Sequence, residues 1–138
     1  MPALDSRHTT NVTPPLRLLP LLEKIKAVYV LWYGYYQTIP KVHRYSLGQR
    51  VDTLFVEIIE ATAIAAYLPK LEKIPYVRIA IRKLDTVKIL LLIMWEVESL
   101  QDKQYIVLSK PLDEIGRMFG GWAGQLAKNS PANRAREK

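Results

Sequence analysis

Apolar positions along this chain recur at three- and four-residue intervals, the spacing of a helix that buries one face. Leu47, Val51, Leu54, Phe55, Ile58, Ile59 and Thr62 show it most regularly. No stretch alternates in steps of two between hairpin turns, so strands are not expected. Breaks divide the pattern into four long segments, at about 18–37, 42–68, 71 or 75–100, and 102–127. Pro20 suits a first helical turn, where its missing N–H costs nothing. Ile39-Pro40 and Pro69 end the segments before them, because a residue preceding proline disfavours the helical region. Helices of similar length joined by short links pack as antiparallel neighbours. The expected fold is all-α, an up-down-up-down four-helix bundle over 18–127, with a flexible segment at 1–17 and a disordered basic tail at 128–138.

Two features suggest more than an isolated bundle. The third segment is apolar nearly all round between Val87 and Val97, including Leu91, Met94 and Trp95. A bundle helix should keep one wet face. One without it is covered twice, and another subunit is the simplest second cover. The fourth segment carries Gly116, Gly120 and Gly124 at four-residue steps, plus Gly121. Glycine costs about 1 kcal/mol against alanine inside a helix, so the stripe needs a packing reason: close approach within the bundle or at a subunit contact.

Composition narrows the chemistry. At 138 residues there is room for one core. The absence of cysteine excludes disulfides, thiolate metal sites and cysteine catalysis, and fits a reducing compartment. The start lacks the basic-then-apolar pattern of a signal peptide. The longest apolar run, Ile89 to Trp95, is seven residues, far short of the roughly 20 that span a membrane. A cytoplasmic protein without a membrane partner is expected. The net charge of +7 favours an acidic partner. Of that charge, +1 falls in 1–17 and +3 in 128–138, leaving +3 for the bundle.

Catalytic signals are sparse. Histidine occurs only as His8 and His43. No cluster of His, Asp and Glu has metal-ligand spacing, so no metal or cofactor is expected. No glycine-rich phosphate loop follows a strand. Ser46, Ser99 and Ser109 have no His and Asp at a recognisable spacing, and Glu57 and Glu60 suit a solvated face. An enzyme is not expected. The aromatic first segment, with Tyr29, Trp32, Tyr33 and Tyr36 at helical spacing, reads chiefly as core, with stacking on bases as the alternative.

The basic residues are clustered. Lys41, His43, Arg44 and Arg50 share a stretch without any acid. Six more lie between Lys70 and Lys88, with Arg78 and Arg82 on one helix face and Lys83 beside them. Guanidinium groups match phosphate geometry, so these patches could hold a nucleic-acid backbone; the alternative is a solvated face paired with Glu72 and Asp85.

Ile39-Pro40-Lys41-Val42-His43-Arg44, Leu47-Gly48-Gln49-Arg50 and Leu112-Asp113-Glu114-Ile115-Gly116-Arg117-Met118-Phe119-Gly120-Gly121-Trp122 together resemble a small four-helix-bundle family. It includes proteins encoded in intervening sequences of bacterial ribosomal RNA genes, and Avd, the accessory variability determinant of diversity-generating retroelements. The resemblance spans about 18–126. It implies a homopentameric barrel, which in the Avd branch has no catalytic activity of its own. For the Avd branch it implies two partners, the retroelement's reverse transcriptase and its template RNA, in mutagenic copying into a variable gene. Lys41, His43, Arg44, Arg50, Arg78, Arg82 and Lys83 would then touch polymerase or RNA phosphate, and Gly116, Gly120 and Trp122 would be structural. The intervening-sequence branch implies the same fold as a structural or interaction protein with no polymerase partner.

Overall fold

A computed structural model describes residues 20–128; the segment expected at 1–17, and all but the first residue of the tail expected at 128–138, lie outside them. Four long helices follow in order: α1 (Pro20–Tyr36), α2 (Gln49–Tyr67), α3 (Lys70–Glu96) and α4 (Asp102–Lys128). A short helical turn, Lys41–His43, and a π turn, Arg44–Gly48, lead without a break into α2. Lys128, expected to open the tail, closes α4 instead. There is no strand among the described residues. Each helix packs against its neighbour in sequence, and α4 returns to α1, which closes an up-down-up-down bundle.

The buried positions keep the period that the sequence announces. Leu21, Ile25, Val28 and Trp32 point inward from α1, and Val51, Leu54, Phe55 and Ile58 from α2. Val77, Ala80, Leu84, Val87, Leu91 and Met94 do so from α3, and Leu108, Leu112, Ile115 and Phe119 from α4. The Trp32 ring stacks on Tyr36 at 5.5 Å and on Phe55 at 6.0 Å. Of the first-helix aromatics, Trp32 is fully buried, whereas Tyr33 is exposed.

Local chemistry fixes the ends. Leu68 turns extended before Pro69, and Lys73 Nζ reaches back 2.6 Å to the Ala65 carbonyl, a cation at the C-terminus of α2. The α3–α4 connection turns at Glu98, whose φ of 63° lies in the left-handed region. Ser99 and Leu100 N–H both donate to the Met94 carbonyl, closing the last turn of α3. Gln104 Oε1 accepts from Gln101 N–H at 3.0 Å and caps α4. Pro75 and Pro111 lie inside α3 and α4. Each forgoes one backbone bond, and packing on both sides carries the helix through.

Candidate nucleic-acid interface

The seven basic positions divide by what their side chains already do. Arg44 is engaged within the fold. Its Nε donates to the Ile39 carbonyl at 3.1 Å, and one terminal nitrogen donates to Ile39 and Gln37 at 2.9 and 3.1 Å. The guanidinium thus takes up carbonyls left open beyond α1. His43 Nδ1 makes a short hydrogen bond with the hydroxyl of Ser99, a buried residue in the α3–α4 connection. This bond ties the α1–α2 corner to the far loop. Lys83 Nζ donates to Glu57 Oε1 at 3.0 Å, a half-buried pair between α3 and α2.

Lys41, Arg50, Arg78 and Arg82 remain exposed, and none has an ion-pair or hydrogen-bond partner among the described residues. Glu72 and Asp85, the acids expected to neutralise the α3 cluster, make no ion pair among the described residues; Lys88 instead reaches Asp113 on α4 at 3.2 Å. The free cations form two groups. With Lys83 level with Glu57, antiparallel packing places Arg50 about 12 Å along the axis from Arg82, at 1.5 Å per residue.

The apolar third helix presents a second surface. Leu91 and Met94 are buried inside the bundle, as are Val87 and Leu84. On the opposite side Ile79, Ile89, Leu92 and Ile93 are exposed, with Ile89 at 58%. They flank Arg82, so cation and apolar stripe share one face. Trp95 is partly exposed, stacks on Tyr105 at 5.4 Å and donates its Nε1–H to Asp102 at 2.7 Å.

The glycines separate likewise. A Cβ at Gly116 would meet Lys88 Nζ at 3.1 Å, so that position serves close packing of α4 on α3. A Cβ at Gly120, Gly121 or Gly124 would meet nothing within 4 Å. Trp122 is half-buried and lines an open hollow of about 500 Å³ with Pro20, Leu21, Met118, Gly121 and Gln125. None of these lining residues is ionisable. No group of three His, Asp or Glu side chains among the described residues could hold a metal, and no described helix is long and apolar enough to cross a membrane.

Two contacts escaped the sequence. Ser99 and His43 are separated by 56 residues and share no motif. Asp52 Oδ1 accepts from Tyr29 OH at 2.9 Å and from Trp32 Nε1 at 3.2 Å. The Tyr29 hydroxyl is pushed up to about 12, first by burial and then by the hydrogen bond to Asp52 and its charge. Outside the bundle core, Lys24 meets Glu114 at 2.7 Å and holds that carboxyl below its usual value.

No family model, curated protein or solved structure matches the chain.

Proposed function

We propose that this chain is a non-enzymatic accessory protein of the Avd kind, which binds a retroelement reverse transcriptase and its template RNA to support mutagenic reverse transcription and retrohoming. The observation that carries the proposal is the pair Arg78 and Arg82. They stand one turn apart on α3, exposed and without an ion-pair partner among the described residues. A surface arginine pair of this kind is suited to phosphate, which it meets in a forked geometry while releasing counterions.

The proposed assembly is a homopentameric barrel. Ile89, Leu92 and Ile93, exposed in the C-terminal half of α3 beyond the Arg78–Arg82 pair, supply apolar surface for a subunit contact. A ring repeats a weak cationic patch and so raises avidity for a long polyanion. Catalysis belongs to the polymerase; this chain contributes charge and geometry.

The test is the double reversal Arg78→Glu/Arg82→Glu. Lys83 is left in place, because reversing it would set two carboxylates against each other at Glu57. Binding to RNA and to the polymerase complex should be lost at moderate salt. If both survive, these arginines are not the contact.

A second proposal is the intervening-sequence branch, with no polymerase partner. It is favoured by the engagement of His43, Arg44 and Lys83 within the fold. Sequencing the DNA that flanks the gene separates the two. A neighbouring reverse-transcriptase gene with near-identical repeats differing at adenines supports the first; ribosomal RNA flanks support the second.

A further inference from the structure

The corner between α1 and α2 is held on several sides yet leaves one face unused. Arg44 binds the carbonyls at the end of α1. Ser46 Oγ donates to the Val42 carbonyl at 3.2 Å, and His43 is tied to Ser99. Gly48 is buried, and a Cβ there would stand 3.0 Å from the Tyr36 ring, so the absent side chain lets that ring close against the turn. These contacts fix the backbone of 39–48. Outward from it project Lys41, Val42, Tyr45 and Arg50, with Val42 75% and Tyr45 66% exposed. Tyr45 contacts no other ring and makes no side-chain hydrogen bond among the described residues.

The π turn decides which residues share that face. In an α-helix, residues five apart lie about 140° apart around the axis. Here Gln49 N–H bonds the Arg44 carbonyl, five residues back, and the wider turn swings Arg50 toward the side of Tyr45. Lys41, four residues before Tyr45, flanks it from the other end. No acid occurs between Gln37 and Val51. An exposed ring between two cations that are unpaired among the described residues, in an acid-free stretch, has the elements of a stacking platform for single strands: the ring takes a base and the cations take the phosphates on either side.

We infer that Tyr45 is a base-stacking residue for single-stranded RNA, with Lys41 and Arg50 holding the adjacent phosphates. This rests on the nucleic-acid part of the proposed function and gives the corner a task distinct from that of Arg78 and Arg82. The exposed α3 pair grips any phosphate backbone, whereas the corner requires an unstacked base and so selects single strands over duplex.

The test uses the full chain, a fluorescein-labelled 15-nucleotide oligouridylate and a 15-base-pair RNA duplex, measured by fluorescence anisotropy across a salt series. Tyr45→Ala should weaken single-strand binding roughly ten- to a hundredfold, with duplex binding and the salt slope unchanged. Tyr45→Phe should bind like the parent, since stacking needs the ring and not the hydroxyl. Lys41→Ala/Arg50→Ala should lower the single-strand salt slope by about 1.4. Tyr45 is exposed, so circular dichroism of these variants should match the parent. The inference is overturned if Tyr45→Ala binds oligouridylate normally, if it loses duplex to the same degree, or if Tyr45→Phe fails as Tyr45→Ala does. RNA binding that Arg78→Glu/Arg82→Glu abolishes and Tyr45→Ala spares would sink the inference alone. A parent chain that binds neither RNA would sink both it and the RNA half of the proposed function. Loss of polymerase association with RNA binding intact would assign the corner to a protein and refute stacking.

Discussion

Replacing Asp52 by alanine should destabilise the bundle by about 2–3 kcal/mol. The Asp52 carboxylate receives two donors from α1, the Trp32 indole and the Tyr29 hydroxyl. The indole is fully buried. Left without an acceptor it forfeits roughly 1–3 kcal/mol. Tyr29 is only half-buried and its hydroxyl can turn to solvent, so its bond is worth about 0.5–1.5 kcal/mol. Alanine's better helix propensity returns about 0.5 kcal/mol. In urea the net loss would lower the midpoint by roughly 1–2 M, read by circular dichroism at one fixed protein concentration, since any assembly makes stability concentration-dependent. The alkaline limb gives a second reading of the same contact. In the folded chain Tyr29 titrates near 12 rather than 10.0, so between these values the folded state holds a proton that the unfolded state has released. Stability from this source is complete below pH 10 and falls as pH rises toward 12. Asp52→Ala and Tyr29→Phe should both blunt that fall. A midpoint unchanged in Asp52→Ala, or an undiminished alkaline loss in Tyr29→Phe, would show that the carboxylate does not couple α1 to α2 as described.

Three further outcomes are expected. Gly48→Ala should cost about 1–3 kcal/mol in thermal or urea melts, because its Cβ meets the Tyr36 ring at 3.0 Å and the His43 carbonyl at 3.3 Å. Gly120→Ala and Gly124→Ala should each stabilise the helix by up to about 1 kcal/mol, their Cβ atoms entering open space; a weakened assembly in either variant would instead mark that stripe as a subunit contact. Ile89→Lys should leave the melting of the individual bundle within about 0.5 kcal/mol, as at other exposed sites, while light scattering shows the assembly shifted toward 15.9 kDa. A parent chain that already scatters as a 15.9 kDa monomer would contradict the barrel.

The resemblance and the bundle interior bear differently on function. Gly116 packs against Lys88 and Trp122 is half-buried at the open hollow, so part of the late glycine-tryptophan pattern serves α3–α4 packing and part shapes the end of the bundle. Arg44, within the early Ile-Pro-Lys-Val-His-Arg run, holds the end of α1. Its neighbours Lys41 and Arg50 stay exposed beside it. The two early runs, 39–44 and 47–50, thus contain residues that build a corner and residues that the corner presents.

The amino-acid sequence specifies the four helices and their order, because burial of one face imposes a period near 3.6 that can be read from residue types alone. Its prolines set the breaks at Ile39-Pro40 and Leu68-Pro69, since a proline ring crowds the residue before it whatever the rest of the fold does. It also identified which cations cluster along the chain. It did not determine which of those cations were free, as partners lie far off in sequence: Glu57 is 26 residues from Lys83, and Ser99 is 56 from His43. Nothing in its local sequence marks Asp52, whose two donors come from α1. The glycines at 116, 120 and 124 are equivalent in spacing, and only the direction of each Cβ relative to α3 distinguishes the one that packs from the two that face outward. The π turn was likewise hidden: no residue type in Arg44–Gly48 marks one, and it shows only where Gln49 N–H meets the Arg44 carbonyl. Periodicity is a property of the chain, whereas the availability of a charge depends on its surroundings, which exist only after the helices have packed.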